Sequence, residues 1–444
     1  MFFIFFLIYV VFFLDLCWSL DNIILKLPEV KKAEREVYAA YYDLKVLYSQ
    51  FGINLDSYYR YSYNQPNINL RLGPNAIRIS NDYSYNYGVQ INWIIRTFGF
   101  FEHQAISKEI IYKSKILKYQ HVISEMYLKL YQLLYEMFKA YNIYEFSNNS
   151  VSYTHELLAN TKKLYDVGVV AKVDYLRALS LYQESFSKSL ASYQNYILAM
   201  KNIYSFLCID QGQSELTELV FIYNSYLDSN HVVELTDFKR NPEDLRVSQI
   251  LYSNIVSLIY QNKSILAQNN PRLILSSQYN RQNPSGFSRD YNFNISLSLT
   301  WKIFDSQLSK NQSKVIQQQI LSLYEEYKRN IYNLDNSQNS IKTKYEMDYN
   351  MYRSFLYNLD YRKEAFRLIK LKYQNGLATY LDYLDAQNNL LQTILNLKNY
   401  KNELFIDYVN YSYLNDIDLR VDQVTKKLKP QKLQGDELER KGNN

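Results

Sequence analysis

An internal repeat constrains the architecture of this chain more than any other feature of its sequence. The segment Tyr165–Ala178 returns as Tyr373–Ala386, 208 positions further along the chain. The same offset places Trp93 on Trp301. A register that holds from one motif to the next predicts two homologous halves, each built from the same supersecondary unit.

The repeat divides the chain into five predicted segments. Residues 1–19 are interpreted as a signal peptide. Residues 20–207 form the first repeat, with a helix, a β-hairpin, a long helix and a return helix, and residues 241–414 form the second. Residues 208–240 connect the two, and residues 415–444 form a closing segment with a polar tail.

The amino terminus indicates export. Met1 to Leu14 is an apolar run, and the small residues Cys17 and Ser19, two positions apart, suit a signal-peptidase cut after Ser19. Lipidation of Cys17 is the alternative. After cleavage Cys208 is the remaining cysteine, which excludes an intrachain disulfide and a cysteine-based metal site.

Glycine and proline are scarce. The 444 residues include 10 Gly and 7 Pro, where average usage gives roughly 31 and 22. Phosphate-binding α/β enzymes and β-sandwiches need these residues at their turns, so both classes are disfavoured. The net charge of +6 has no dense Lys/Arg cluster, so no nucleic-acid partner is expected.

Each half contains one predicted β-hairpin. Apolar and polar residues alternate over Tyr83–Arg96 and over Tyr291–Ile303, which is typical of strands with one apolar and one polar face. A partner strand precedes each of them, at Ile53–Tyr63 and at Pro271–Arg281.

A long helix follows each hairpin. Residues 100–167 contain no Gly or Pro, and a helix of that length spans about 100 Å. Two apolar stripes with heptad spacing run along residues 116–144, which predicts two helical neighbours. The second half repeats the first stripe with polar interruptions. Gly168 and Gly376 are positioned to end the two long helices.

Strands with an apolar outer face predict a membrane barrel. Every strand edge must be paired in lipid, so the four strands of one chain are too few and oligomerisation is required. Two chains supply eight strands, whose interior the side chains nearly fill, whereas three supply twelve and leave room for a pore. Trp93 and Trp301 are the membrane-facing aromatic residues of the two repeated strands.

Four segments together carry a family resemblance. Gly168–Asp174 and Gly376–Asp382 share the spacing Gly-x5-Asp, Leu299–Asp305 joins a strand to a helix, and Asn241–Arg246 opens the second half. With these motifs, residues 28–414 resemble the TolC-type outer-membrane efflux proteins of the outer membrane factor family.

The resemblance implies a mainly α fold with β structure. It implies that each chain consists of two repeated halves and that three chains form a homotrimer. The homotrimer has a 12-stranded β-barrel in the outer-membrane lipid, which a periplasmic α-helical barrel continues. The segments 208–240 and 415–444 correspond to its equatorial region. It further implies that the helical tips, Gly168 with Val169 and Gly376 with Leu377, dock a periplasmic adaptor, which joins an inner-membrane pump or ABC transporter.

The resemblance also implies a gate at the periplasmic end. By motif, its residues are Asp174, Tyr373, Asp382 and Asp385, and the acidic ones form rings that favour cations. The alternative for Asp174 and Asp382 is helix capping, since Thr379 and Asp382 have capping-box spacing. For Asp385 we favour the gate.

A latch is predicted between the tips. In closed relatives a Tyr, an Arg and an Asp link them, and Tyr373 and Asp174 match two of the three, whereas Ala378 stands in the position of the Arg. We therefore predict a weakened latch with a remaining Tyr373–Asp174 hydrogen bond.

No pattern indicates an enzyme. The sequence contains no Walker loop, nucleophile elbow or zincin motif, and its His residues are scattered, so neither a cofactor nor a metal is expected. The predicted function is a passive exit duct for drug efflux or type I secretion, two roles that remain open. The alternative is a secreted or surface coiled-coil structural or adhesin protein.

Overall fold

A computed structural model describes residues 22–63, 65, 69–72, 75–78, 82–209, 235, 239–283, 290–375, 377–417 and 419. The predicted signal peptide with Cys17, the tip residue Gly376, and most of the segments 208–240 and 415–444 lie outside the described residues.

The described elements repeat the predicted order. They are α1 (Pro28–Gln50), β1 (Ile53–Tyr63), β2 (Asn69–Leu72), β3 (Asn75–Arg78), β4 (Tyr83–Arg96), α2 (Phe100–Asp166), α3 (Lys172–Leu207), α4 (Arg246–Leu266), β5 (Arg272–Gln282), β6 (Tyr291–Thr300), α5 (Leu308–Gln374) and α6 (Tyr380–Leu414). None of the described helices combines the length and apolar character needed to cross a membrane.

The main sheet has four antiparallel strands in the order β1-β4-β5-β6. The two predicted hairpins are β1 with β4 and β5 with β6, and the pairing of β4 with β5 joins the two halves. β2 and β3 form a separate two-stranded sheet that the sequence did not predict. Alternation over four residues is too short to be distinguished from a loop.

The predicted end of the last strand is wrong. We expected it to continue through Trp301 to Ile303, but β6 ends at Thr300. Its described partner β5 begins at Arg272, which lies opposite Thr300, so the following residues have no described partner strand. Trp301 therefore lies just beyond the sheet.

Gly88 marks a close approach of β4 and β5. A Cβ atom at this position would collide with the carbonyl oxygen of Tyr279 and with the Cα of Asn280. A glycine therefore occupies this position on the polar face of β4, because the neighbouring strand leaves no room for a side chain.

The chain forms two compact units, each built from both halves. One contains residues 34–118 and 247–330, and the other contains residues 1–33, 119–246 and 331–444. We call these the sheet unit and the tip unit.

In the sheet unit, the four-stranded sheet continues into helices tied by polar contacts. Ser107 Oγ donates to the carbonyl of Ser257 over 2.8 Å. The Lys115 and Lys118 ammonium groups lie 2.9 and 3.1 Å from the Glu36 carboxylate. These hydrogen bonds lower the pKa of Glu36 to about 2.

The strand-to-helix joins of the two halves use matching positions. Thr97 Oγ1 accepts from the Phe101 N–H at the start of α2. Asp305, 208 positions later, accepts hydrogen bonds from the N–H and the hydroxyl of Ser309 at the start of α5. Its carboxylate also accepts a hydrogen bond from the Asn269 side chain, which precedes β5. Both side chains therefore cap a long helix at its first turn.

In the tip unit, α2 supplies much of the core. Both predicted stripes of α2 contribute buried side chains there, which confirms that this helix has two packing faces. The first contributes Tyr119, Ile123, Leu130 and Met137, and the second contributes Tyr127, Leu134 and Phe138.

The start of the second half is anchored in the tip unit. Arg246 donates its backbone N–H to Asp416 over 2.6 Å, and its Nη1 donates to Ser124 over 2.8 Å. Just before it, the side chain of Asn241 accepts from the Glu243 N–H and begins a short 3₁₀ turn. The Asn241–Arg246 motif thus has a structural role in holding the carboxyl end of α6 near α2.

Candidate functional site

The main sheet presents an apolar face along β1, β4 and β6. Successive strand residues point to opposite faces, so the alternation places the large apolar side chains on one of them. All of these side chains are exposed in the chain: Ile53, Leu55, Tyr59, Tyr61, Tyr63, Tyr83, Tyr85, Tyr87, Val89, Ile91, Trp93, Ile95, Tyr291, Phe293, Ile295, Leu297 and Leu299. An apolar patch of this extent marks a surface that contacts lipid or another chain.

Aromatic residues concentrate at the β1–β4 turn end of this face. The rings of Tyr59 and Tyr87 stack with centroids 6.4 Å apart, and those of Tyr61 and Tyr83 stack at 5.9 Å. Tyrosine at the end of an apolar strand face is typical of the boundary between lipid and water. Trp93 lies further along the same face, while Trp301 is exposed beyond β6.

The opposite face of the sheet is lined by amides and hydroxyls. The strand register aligns these side chains in rows, of which two read Asn54, Asn92, Ser276, Ser296 and Asp56, Gln90, Gln278, Asn294. Gln278 donates to the Tyr58 hydroxyl over 2.9 Å, and Gln90 donates to Asn92 over 3.0 Å. A wall with these groups offers hydrogen bonds to water and to polar solutes.

The first helical tip connects α2 to α3. Gly168 follows the end of α2 with φ of +78°, a conformation that favours glycine. The Val169 N–H donates to the carbonyl of Leu164 over 2.9 Å, which satisfies one of the last carbonyls of the helix. Val169 itself is exposed.

The second tip repeats this geometry. The Leu377 N–H donates to the carbonyl of Lys372 over 2.8 Å, and this bond matches the one in the first tip at an offset of 208. The Leu377 side chain is 77% exposed. The predicted tip residues Val169 and Leu377 are therefore both presented to solvent in the described chain, whereas Gly376 lies outside the described residues.

The start of α6 confirms the capping interpretation of Asp382. The Asp382 carboxylate accepts from the N–H of Thr379 over 3.0 Å and from its hydroxyl over 2.6 Å, while Thr379 Oγ1 accepts from the Asp382 N–H. These hydrogen bonds lower the pKa of Asp382. In the first half the position that corresponds to Thr379 is Ala171, which precedes α3 and makes no side-chain cap.

The remaining predicted gate residues are solvent-exposed. Asp174 lies on the first turn of α3 and Asp382 on the first turn of α6, while Asp385 lies on the second turn of α6; all three side chains are exposed. The structure therefore brings them to the tips, on the helices predicted to carry them. Their role in a gate stays a prediction.

Tyr373 does not make the hydrogen bond that we predicted. Its ring stacks on Tyr383 with centroids 5.2 Å apart, and among the contacts of the described residues none joins its hydroxyl to Asp174. Burial raises the pKa of Tyr373, as expected for a ring packed within its own hairpin. Within one chain, the ring stack replaces the latch.

A matching stack closes the first tip, and sequence reasoning missed both. Tyr165 and Tyr175 stack with centroids 5.5 Å apart and ring planes 12° apart. These residues are the counterparts of Tyr373 and Tyr383 at the offset of 208. We call these two pairs the tyrosine clasps. The signal was present in the repeat, since a tyrosine occupies all four positions.

No group of three or more His, Cys, Asp or Glu side chains with the geometry of a metal site occurs in the described part of the chain. His103, His121 and His155 lie apart on α2, and His231 lies outside the described residues.

Solved structures with this fold are outer-membrane channels. The chain is similar to CusC with a TM-score of 0.74 and 12% identity, over 90% of this chain and 92% of that one. It is similar to the CmeC outer membrane channel of Campylobacter jejuni with a TM-score of 0.71 and 13% identity, over 93% and 89%. For the outer membrane protein VceC of Vibrio cholerae the values are 0.72 and 14%, over 90% and 96%.

The fold is therefore that of the outer-membrane channels: mostly helical, with a small antiparallel sheet. Residues 260–410 match the model of the outer membrane efflux protein family, while no curated protein matches the chain in sequence. Together these findings confirm the resemblance to the TolC-type outer-membrane efflux proteins. These similarities indicate an outer-membrane location with the helical part in the periplasm.

Proposed function

We propose that the protein is the exit duct of a tripartite export system. Three copies join their four-stranded sheets into one 12-stranded barrel, and their helices continue it as an α-helical barrel. The observation that carries this proposal is the sheet itself. It has an apolar face without cover in the described chain, a polar opposite face, and two edge strands, β1 and β6.

Closure through the edges follows from the physics of lipid. An open edge exposes unpaired N–H and C=O groups, each of which costs several kcal/mol in a bilayer. Pairing β6 of one copy with β1 of the next removes every edge. The amide and hydroxyl rows then line the lumen, and the aromatic and aliphatic rows face lipid.

The duct is passive and its energy comes from its partners. The tip residues Gly168, Val169, Gly376 and Leu377 dock a periplasmic adaptor, which connects an inner-membrane pump or ABC transporter. The described tips support this role because Val169 and Leu377 expose apolar side chains at helix reversals. Drug efflux and type I secretion both use such a duct.

The acidic residues of the tips form the narrowest part of this duct. In a trimer, Asp174, Asp382 and Asp385 each occur three times around the axis and attract cations. Asp382 also caps α6, so its removal changes helix stability as well as charge. Asp385 is the better probe, since it lies beyond the capping box.

Conductance in planar bilayers tests the duct. Purified full-length protein is expected to form long-lived channels, and light scattering in detergent is expected to give a trimer. Absence of conductance would favour the secreted coiled-coil structural or adhesin protein.

Ion selectivity tests the gate residues separately. Asp385→Asn is expected to reduce the preference for cations, measured as a shift of the reversal potential in a salt gradient. Asp360→Asn, which removes an exposed carboxylate from α5 outside the predicted gate, is the control and leaves this preference unchanged. Equal reversal potentials for parent and Asp385→Asn would remove Asp385 from the gate.

A further inference from the structure

A group of charged side chains surrounds the buried Asp407 in the tip unit, where α5 faces α6. Lys344 and Asp348 lie on α5, and Glu403 and Asp407 lie on α6. We call these four residues the acidic cluster. The Lys344 ammonium lies 2.5 Å from Oδ1 of Asp407 and 3.5 Å from Oδ2 of Asp348. Asp407 is 1% exposed, so its carboxyl group is removed from water.

Two oxygen atoms of this cluster are buried and accept no hydrogen bond, although Lys344 forms a 3.5 Å ion pair with the one on Asp348. They are Oδ2 of Asp407 and Oδ2 of Asp348. Asp407 uses its other oxygen to accept from Lys344. A buried carboxylate oxygen without a donor costs more than an unpaired neutral group. The arrangement therefore lacks one donor between two facing carboxyl groups.

The surrounding groups do not supply that donor. Tyr400 lies near Glu403 and Asp348. From α2, Tyr135 and Lys139 face Glu403, and Lys139 Nζ lies 3.5 Å from the Tyr135 hydroxyl. Glu136 acts on Lys139 from an exposed position. Within the cluster, three carboxyl groups face the single ammonium group of Lys344.

The internal repeat shows that helix packing does not require these carboxyl groups. At the offset of 208, Asp348 corresponds to Ala140 and Asp407 corresponds to Ala199. The first half therefore places two alanines where the second half places two aspartates. The acidic pair is a property of the second hairpin alone.

We propose that Asp348 and Asp407 form a binding site for one proton, which they share, and that proton uptake tightens the packing of α5 against α6. Two adjacent carboxylates in a buried site do not both ionise readily, because each disfavours the charge of the other. A protonated carboxyl group is a donor, so the shared proton bridges the two unpartnered oxygens. Since α5 and α6 are joined by the second tip, the site makes the stability of this hairpin depend on pH.

The titration of Asp407 agrees with this geometry. Burial raises its pKa, the hydrogen bond from Lys344 lowers it, and the neighbouring Asp348 raises it further, with a net upward shift. The folded chain thus binds a proton that the unfolded chain releases. Its stabilising effect is complete below about pH 4, the ordinary aspartate value, and is lost as the pH rises toward neutrality.

Two measurements on the purified full-length protein test the site. The infrared difference spectrum between about pH 5 and about pH 7.5 is expected to contain the carbonyl band of a protonated carboxylic acid. Glu403, whose pKa is raised by burial, and the exposed carboxyl groups also contribute to this band. The band is therefore expected to be smaller in Asp407→Asn and in Asp348→Asn than in the parent, because the contribution of the pair is lost. It persists in Asp360→Asn, which removes an exposed carboxylate from the same helix.

Thermal unfolding provides the second measurement. Parent protein is expected to lose a few degrees of Tm relative to Asp407→Asn between about pH 5 and about pH 7.5, because the Asn amide keeps the missing donor at every pH. Because the Tm of the variant is subtracted from that of the parent at each pH, the titration of His121 and of all other groups that both proteins share cancels.

The double change Asp348→Ala with Asp407→Ala restores the alanine pair of the first half. It keeps the test decisive if a single substitution does not fold. We expect it to fold and to lose the part of the infrared band and of the pH dependence that the pair contributes in the parent. A band of parental size in this variant, or a parent whose pH dependence equals that of the variant, would overturn the proposal. Neither result depends on conductance, so both are separate from the proposed duct.

Discussion

The helices α2 and α5 occupy equivalent positions in the repeat and have 67 residues each, but they are packed differently. In the tip unit α2 buries large apolar side chains along two faces, including Ile123 and Leu130. By contrast, α5 leaves large side chains exposed along its length: Tyr324, Tyr332, Met347, Leu356, Tyr357, Tyr361, Leu368 and Leu371.

The difference shows how one repeated element serves two purposes. α2 contacts helices of its own chain on both of its apolar faces. The large side chains of α5 have no comparable cover in the described chain, and in the proposed trimer they pack against a neighbouring copy. Duplication thus preserved helix length, while substitution divided the packing between the core of the chain and its surface.

The largest expected effect on stability comes from a substitution in the buried face of α2, compared with one on the exposed face of α5. Leu130→Ala in α2 removes a side chain that is 1% exposed, and we expect a loss of about 2–5 kcal/mol in unfolding free energy. Tyr357→Ala in α5 removes an exposed ring and is expected to cost the isolated chain no more than about 0.5 kcal/mol.

Denaturant unfolding of dissociated protein and light scattering of assembled protein measure the two effects. We expect Tyr357→Ala to weaken the trimer while leaving the chain folded. Equal losses of chain stability for the two variants would show that α5 is as much a core helix as α2.

A smaller effect is expected where the two tips differ. Thr379→Ala removes the capping box of α6 and is expected to cost about 1 kcal/mol. Ala171→Thr places the same Thr-x-x-Asp pattern before α3, since Asp174 stands three residues further on. We expect it to raise Tm, and an unchanged Tm would show that the backbone at Ala171 does not accommodate a cap.

The tyrosine clasps allow a direct comparison of the two tips, because each tip contains one stacked pair of tyrosines. Tyr175→Leu and Tyr383→Leu keep apolar bulk but remove one ring of each stack. Each change is expected to cost about 0.5–1.5 kcal/mol, with similar values in both tips. Denaturant midpoints of the two variants measure this. A large loss in one tip alone would mean that its ring has a further role, such as a contact between chains.

The smallest effect concerns pH. Hydrogen bonds from Thr379 lower the pKa of Asp382, so the folded chain releases a proton that the unfolded chain keeps. Its contribution is present above about pH 4 and is lost as the pH falls below that value. Asp382→Asn is expected to reduce the loss of Tm in acid, with Asp174→Asn as the uncapped control. Identical acid profiles for all three proteins would contradict the capping contribution.

The sequence predicted those parts of the fold that depend on periodicity. The bounds of β1 are as predicted, and α2 ends one residue before the predicted position, because alternation and the lack of breakers are local properties. The end of β6 was predicted wrongly, since strand ends depend on where the partner strand begins. The β2–β3 sheet was missed because its strands have four residues each.

For the candidate site, the sequence predicted where the tips lie but not all of their contacts. Gly168 and Val169 are at a helix reversal, and Thr379 and Asp382 form the capping box, as their spacing indicated. The sequence did not predict that Tyr383 stacks on Tyr373, because the position of a ring depends on the neighbouring helix. The role of Tyr373 in a latch of the assembled tips stays a prediction.

The sequence by itself determined the repeat, the two-faced strands and the long helices, because each is recorded in spacings along the chain. Only the tertiary structure decided which of two equivalent helices is buried, which tyrosines form the clasps, and that Asp348 and Asp407 face each other without a donor. These properties depend on side chains from different helices, and their distances arise only when the helices pack.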